Sequence, residues 1–167
     1  MGRGRRLAVL AIVLAATVVT GCGGAGTTAA PGLRYAVFLG QMVAAREGIQ
    51  TTLTELVAAG SGAGPAQTAD QVRSSAESIA AIAADQRAWL EENPPADCYA
   101  DAHHAAGAVV ESLSDASTAA IGWADAMDSP ALGDPATAYA AFTASAQRVL
   151  GDADGLGQEL DAVTCLD

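Results

Sequence analysis

The residues most able to do chemistry form a row of acidic side chains with one histidine. Asp97, Asp101, His104, Glu111 and Asp115 are separated by 4, 3, 7 and 4 positions, which puts all five on one face of a helix. Carboxylate oxygens suit calcium and an imidazole suits zinc or copper, so Asp101 and His104 are candidate ligands of a divalent cation. The face lies opposite the apolar positions of the same helix. A solvated surface is therefore the interpretation that the sequence favours.

Other catalytic and cofactor motifs do not occur. His103 and His104 are adjacent, so on a helix their side chains point about 100° apart and do not easily bind one ion. Di-iron bundles repeat Glu-x-x-His on two helices, whereas this sequence has one acid-x-x-His, Asp101 to His104, and no third histidine. The sequence has neither the Cys-x-x-Cys-His motif of covalent haem nor the Gly-x-Ser-x-Gly elbow of hydrolases. We therefore predict no enzymatic activity and no redox or metal cofactor.

Six aromatic side chains fall mostly on the apolar stripes of predicted helices. Core packing is the simplest role for them, and an aromatic-lined pocket for an apolar ligand between helices is the alternative. They are Tyr35, Phe38, Trp89, Trp123, Tyr139 and Phe142.

Apolar residues recur every three or four positions after residue 32, which predicts amphipathic helices. Glycine- and proline-containing segments at 60–65, 93–95 and 128–133 separate them. Four helices of similar length with short connections predict an all-α, up-down-up-down four-helix bundle. The predicted helices span 33–59, 66–92, 97–127 and 135–163. Their stripes include Val72, Ala76, Ile79, Ala83, Gln86 and Leu90 on the second helix, and Ala102, Ala106, Val109, Leu113, Ala116, Ala120, Trp123 and Met127 on the third.

Local signals refine two of these helices. Asp97 is the predicted N-cap of the third helix, and Asp134 followed by proline is the predicted start of the fourth. Gly151, Gly155 and Gly157 predict a kink or a close helix contact in the second half of the fourth helix.

The first 21 residues have the layout of a secretory signal. Arginines at positions 3, 5 and 6 precede an uncharged segment over 7–19, and small residues follow at 20–22. The apolar segment is too short for the ~30 Å core of a bilayer, which needs about 20 residues. Export is therefore predicted, either as a lipoprotein or as an ordinary secreted protein cut nearby.

The segment Val19-Thr20-Gly21-Cys22 resembles the lipobox of bacterial lipoproteins. The resemblance implies that the Cys22 thiol receives a diacylglycerol and that the chain is cut just before this residue. Two acyl chains or more give stable membrane attachment, so the expected location is the extracytoplasmic face of the cell membrane. The implied organisation is a signal peptide at 1–21, a lipidated cysteine with a flexible tether at 22–32, and a bundle domain at 33–167. In composition the chain resembles small lipoproteins of high-GC bacteria.

The net charge of the chain restricts the classes of partner that it could bind. The full chain carries a net charge of −11, and all its basic residues are arginine. Loss of the three arginines in residues 1–21 changes the net charge to −14. An acidic surface argues against nucleic acid and against docking on anionic lipid head groups.

With Cys22 lipidated, Cys98 and Cys165 remain as a pair in an oxidising compartment. In antiparallel third and fourth helices they would lie at the same end, where a Cα separation of ~5.5 Å is feasible. Such a disulfide would close a loop of some 67 residues, and it would stabilise the fold by about 4 kcal/mol in the chain-entropy model. Two unpaired thiols are the alternative.

Two functional hypotheses follow. The first is a non-enzymatic lipoprotein of the cell envelope that binds a partner protein or acts as a structural accessory. The alternative is a lipoprotein that binds a metal ion, through Asp101 and His104, or a small apolar ligand in the bundle interior.

Overall fold

The computed structural model describes residues 31–164, and these form four long α-helices joined by short connections. No strand occurs within this range. The predicted all-α bundle is therefore confirmed. The elements are α1 (Pro31–Ser61), α2 (Ala69–Glu92), a 3-10 turn (Asp97–Tyr99), α3 (Ala100–Asp128), a second 3-10 turn (Pro130–Leu132) and α4 (Pro135–Ala162).

Three of the predicted features lie outside the described residues. These are the signal peptide, the lipidated Cys22 with most of its tether, and Cys165. All three stay predictions. The tether boundary changes slightly, because Pro31 and Gly32 already belong to α1. Proline is tolerated in the first turn of a helix, where its missing N–H costs no hydrogen bond.

Contacts between neighbouring helices define the up-down-up-down order. The start of α2 meets the end of α3, where Arg73 Nη2 lies 3.0 Å from Asp125 Oδ1 and 2.9 Å from Asp128 Oδ2. The start of α4 meets the end of α1, where the Tyr139 hydroxyl donates to the Val57 carbonyl at 2.6 Å. Each pair is therefore antiparallel, and α3 packs most extensively, against α4 and α2.

The register of α3 against α4 bears on the predicted disulfide. Arg148 Nη1 lies 3.1 Å from Asp115 Oδ2, which fixes one point of the antiparallel pair. Cys98 precedes Asp115 by 17 residues, and Cys165 follows Arg148 by 17 residues (98 to 115 and 148 to 165). This is the register that the predicted bond requires. Cys98 lies in the 3-10 turn before α3, and the pair itself stays a prediction because Cys165 is not described.

The core of α3 is wider than the predicted stripe. Every predicted position except Met127 is buried, but Val110, Ser117 and Ala124 are buried as well. The reason is that α3 packs against both α2 and α4 and therefore buries two faces. The Ser117 hydroxyl donates across the interface to the Ala76 carbonyl at 2.8 Å. The two helices thus approach closely enough for a serine to reach the backbone of its neighbour.

The helix ends differ from the predictions where local hydrogen bonds decide them. The second helix begins at Ala69 rather than 66, because Thr68 and Gln71 form a capping box. The predicted N-cap role of Asp97 is wrong: this residue opens a 3-10 turn, and Tyr99 precedes α3 without a side-chain cap. The predicted cap at Asp134 is confirmed, because its Oδ2 accepts from the Thr137 N–H at 2.8 Å.

Of the two alternatives predicted for the glycines of α4, a close helix contact is wrong, whereas a kink stays a prediction. A Cβ added at Gly151, Gly155 or Gly157 would meet nothing within 4 Å, and α4 continues to Ala162. Gly60 in the last turn of α1 is different, because an added Cβ would overlap the ring of Tyr139.

A matched pair of glycine substitutions tests this packing. Gly151→Ala should stabilise the fold by roughly 0.5–1 kcal/mol, since alanine restricts the unfolded chain and meets no obstacle in α4. Gly60→Ala should destabilise it by about 1–3 kcal/mol, because the Tyr139 ring must move away. Urea unfolding measures both. An equal effect of the two variants would contradict the packing of Tyr139 on Gly60.

Candidate functional site

The acidic face of α3 lies on the surface. Asp97, Asp101, His104, Glu111 and Asp115 are all exposed, and Asp115 is paired with an arginine of α4. Residues 31–164 contain no group of three or more His, Cys, Asp or Glu side chains that could hold a metal ion. Cation binding by Asp101 and His104 therefore stays a prediction. The described residues supply no third side-chain ligand for the ion.

The two adjacent histidines diverge, as their helical spacing predicts. His104 is exposed, whereas His103 is half-buried and turns toward α1. There its Nδ1 shares a hydrogen bond with the Tyr35 hydroxyl. When the imidazole is neutral with its proton on Nε2, the hydroxyl is the donor. His103 thus links α3 to α1 instead of joining His104 in one site.

Tyr35 is the centre of an aromatic cluster at the end of the bundle where α1 begins. Its ring centroid lies 5.2 Å from Tyr99, 5.7 Å from Trp89 and 5.8 Å from the stacked ring of His103. Burial raises the pKa of Tyr35 to about 12. Burial, and then the charge of neighbouring His104, lowers the pKa of His103. The Tyr35 cluster therefore holds two neutral polar groups near pH 7.

A second aromatic cluster lies at the opposite end. Trp123 of α3 stacks on Phe142 of α4, with centroids 5.8 Å apart, and contacts the Tyr139 ring at 5.1 Å. Tyr139 also makes the hydrogen bond to Val57 of α1. Each end of α1 is therefore fixed by a tyrosine that combines ring packing with a hydroxyl hydrogen bond.

Between the two clusters the four helices enclose an apolar cavity. Its walls include Leu53 of α1, Gln86 of α2, Leu113 of α3, and Val149 and Ala153 of α4. None of the side chains that line it is titratable or nucleophilic. The arrangement suits the binding of an apolar molecule and offers no group for acid-base or covalent chemistry.

The cavity is small but continuous with solvent. Its interior volume is about 30 Å³, and the space reaches about 460 Å³ when the part open to solvent is included. A water needs roughly 10–15 Å³ in the first measure and two to four polar partners. The interior thus has room for about two waters, but its walls offer few partners. Known ligand pockets measure about 300–1,000 Å³, so a ligand would use the open part too.

Two polar residues, Gln50 and Gln86, line this cavity, and Gln86 places a polar atom in the interior. Its Oε1 atom is buried and has no hydrogen-bond partner, the one such side-chain atom found in the described part of the chain. An unpaired buried acceptor costs about 1–3 kcal/mol. By contrast, the buried Ser112 and Ser117 hydroxyls both donate to backbone carbonyls. Gln86 is thus a destabilising choice at a position where leucine would pack.

The cavity described above is lined by aliphatic residues and two glutamines, so it is not the predicted aromatic-lined pocket, which stays a prediction. The aromatic side chains with described contacts pack against one another at the two ends, which is the simpler role foreseen for them. Gln86 lies on the predicted apolar stripe of α2, so a polar residue at a core position was the sequence signal for this site. The interaction between Tyr35 and His103 had no such signal.

No protein-family model, curated protein or solved structure matches this chain. Between residues 31 and 164, no helix is both long and apolar enough to cross a bilayer. The site must therefore be interpreted from its own geometry.

The lowered pKa of His103 predicts a loss of stability on acidification. Because its pKa in the folded state lies below the unfolded value of 6.5, the unfolded chain binds more protons below that pH. The contribution of neutral His103 is therefore complete above pH 6.5 and is lost as the pH falls below it. Hydrogen bonds from the Thr137 side chain and backbone lower the pKa of Asp134 from 3.8. Its contribution to stability is therefore lost only at a lower pH than that of His103.

Urea unfolding at pH 7.5 and pH 5.5 measures this effect. In His103→Gln the free energy of unfolding should change less between the two pH values than in the wild type. His104→Gln is the matched control, and it should retain most of the pH dependence because burial is the larger cause. A His103 variant with an unchanged pH dependence would show that this residue is not the source.

Proposed function

We propose that this protein is a membrane-anchored lipoprotein of the cell envelope whose helical bundle binds a small apolar molecule without catalysing a reaction. The observation that carries the proposal is the aliphatic cavity to which all four helices contribute. The role is that of a binding accessory, with the lipid on Cys22 as its attachment to the outer face of the membrane.

The cavity supports binding rather than catalysis by its composition. Its aliphatic walls can remove apolar ligand surface from water, which gains about 25 cal/mol per Å². A metal-dependent role has less support, since Asp101 and His104 are exposed and lie outside the residues that line the cavity. A protein partner from the envelope remains the competing function, and it would not require the cavity to be filled.

The anchor rests on the Val19-Thr20-Gly21-Cys22 segment and on the chain order. Pro31, where α1 is first described, follows Cys22 by nine residues. Nine residues reach at most ~30 Å when extended. In this proposal the end of the bundle that contains the Tyr35 cluster therefore stays close to the membrane.

The anchor is tested by the mass of the N-terminus. In its native bacterium, or in a bacterium that processes lipoproteins, the wild-type protein should begin at Cys22 and carry the mass of a diacylglycerol. The Cys22→Ala variant should carry no lipid mass and should not be cut before residue 22. Cys98→Ala is the matched cysteine control and should be lipidated normally. A wild-type chain that begins elsewhere, or has no lipid, would exclude the proposed anchor.

Ligand binding is tested by filling the cavity. Toluene is the probe, and methyl NMR of Leu53, Leu113 and Val149 reports its binding. Ala153→Leu should reduce toluene affinity at least about tenfold while changing stability by less than ~1.5 kcal/mol, because the added atoms enter existing space. The control is Ala146→Leu, at a buried alanine of the same helix that does not line the cavity.

Ala146→Leu should destabilise the fold by about 1–3 kcal/mol and leave toluene binding intact. If the wild-type protein does not bind toluene, or if both variants bind it equally, the cavity is not the ligand site. The partner-protein function would then take precedence.

A further inference from the structure

We infer that the ligand is an apolar molecule carrying one hydrogen-bond donor, and that Gln86 is the residue that selects it. The inference rests on the proposed function and deepens it by naming the chemistry of the ligand. The site is the wall of the cavity that contains Gln86, where every other lining residue except Gln50 is aliphatic.

The unpaired Oε1 of Gln86 points to the donor. This atom is buried, and no protein group within residues 31–164 donates to it. Buried polar atoms in folded proteins are nearly always paired, and an exception needs a physical explanation. A hydroxyl or N–H group on a bound molecule would supply the missing hydrogen bond.

Water is a poor substitute for that group. An ordered buried water makes two to four hydrogen bonds, and the one other polar residue that lines the cavity, Gln50, has an exposed side chain. A water beside Gln86 would therefore find one buried side-chain partner among the lining residues, and its remaining hydrogen bonds would have to go to another water. An apolar molecule with a single donor suits both parts of the cavity. Its apolar body would contact the aliphatic walls, and its donor would pair with Gln86 Oε1.

The shape of the cavity limits the size of the ligand. Its wall on α4 extends from Val149 to Leu156, two helical turns or about 10 Å along the axis. The wall on α3 extends from Val109 to Leu113. A single ring or a short aliphatic chain matches this length, with its polar group placed toward α2.

Phenol and toluene test the assignment, because they share a ring and differ in one group, hydroxyl against methyl. Both are titrated against the full mature chain carrying Cys22→Ser, with the same methyl NMR signals as the readout. The measured quantity is the ratio of phenol affinity to toluene affinity. Replacing Gln86 by Leu should lower this ratio at least about tenfold, since the hydroxyl then loses its acceptor.

Gln147→Leu is the matched control and should leave the ratio unchanged, because Gln147 is exposed on α4 and does not line the cavity. If Gln86→Leu does not fold, Gln86→Met provides an unbranched side chain without a strong acceptor. Benzaldehyde, which accepts a hydrogen bond but cannot donate one, is the third probe and should show no preference for the wild type over Gln86→Leu.

The outcomes separate this inference from the proposed function. Toluene binding with a phenol-to-toluene ratio that does not depend on Gln86 would retain the apolar site and overturn the donor assignment. A loss of benzaldehyde rather than phenol affinity in Gln86→Leu would also overturn it, because Gln86 would then act as the donor. If neither toluene nor phenol binds the wild type, the proposed function itself fails.

Discussion

The hydrogen bond from the Ser117 hydroxyl to the Ala76 carbonyl, at 2.8 Å, requires α2 and α3 to pack with their backbones close together. Such an approach is possible because the neighbouring core positions are small. Ala76, Ala116 and Ala120 are fully buried. Each alanine removes little apolar surface from water, so the stability of these helices depends on dense packing over a long interface rather than on a few large side chains.

Helix α1 contributes large aliphatic side chains to the core. Leu39, Leu53 and Leu56 are fully buried, and aromatic rings from the other helices surround the two ends of α1. In the middle the neighbouring side chains are aliphatic or glutamine, and the cavity lies there. A core selected for stability alone would fill this space and would not place an unpaired Gln86 in its wall. Local violations of packing rules are expected at functional sites. Two of them, the unfilled space and the unpaired Gln86 acceptor, occur together here.

The sequence predicted the helices well because their signals are local. The three- and four-residue spacing of apolar positions, together with breaks at glycine and proline, identified four helices, and Asp134 marked the start of α4. The capping box of Thr68 and Gln71 is also a local signal, and it places the start of α2 three residues later than the apolar spacing predicts. By contrast, the second buried face of α3 depends on which helices surround it, and no periodicity within α3 contains that information. The same holds for the hydrogen bond between Tyr35 and His103, which joins positions 68 residues apart.

Gln86 combines one feature that the sequence predicts with one that only the tertiary structure shows. Its position on a core stripe could be predicted from the sequence, but the absence of a hydrogen-bond partner could not. A glutamine on an apolar stripe can extend its carboxamide to solvent or to a polar neighbour, and only the packed structure shows that Oε1 does neither. Chemistry at this site is therefore a property of the tertiary arrangement.

Charge and anchor act together in the proposed role. Glu91, Glu92, Asp97 and Asp101 are exposed near the end of the bundle where α1 begins, which is the end that a lipid on Cys22 would hold near the membrane. An anionic lipid surface repels carboxylates within about one Debye length, roughly 8 Å at physiological ionic strength. A tether with a reach of ~30 Å allows the bundle to stay beyond that distance while remaining attached. The cavity is lined by residues in the middle of the bundle, such as Leu53 and Leu113, and not by the Tyr35 cluster, so a bound molecule would lie away from the end nearest the head groups. An apolar molecule bound there would be carried close to the membrane but kept out of it, and this separation gives a tethered, acidic binding protein a physical purpose.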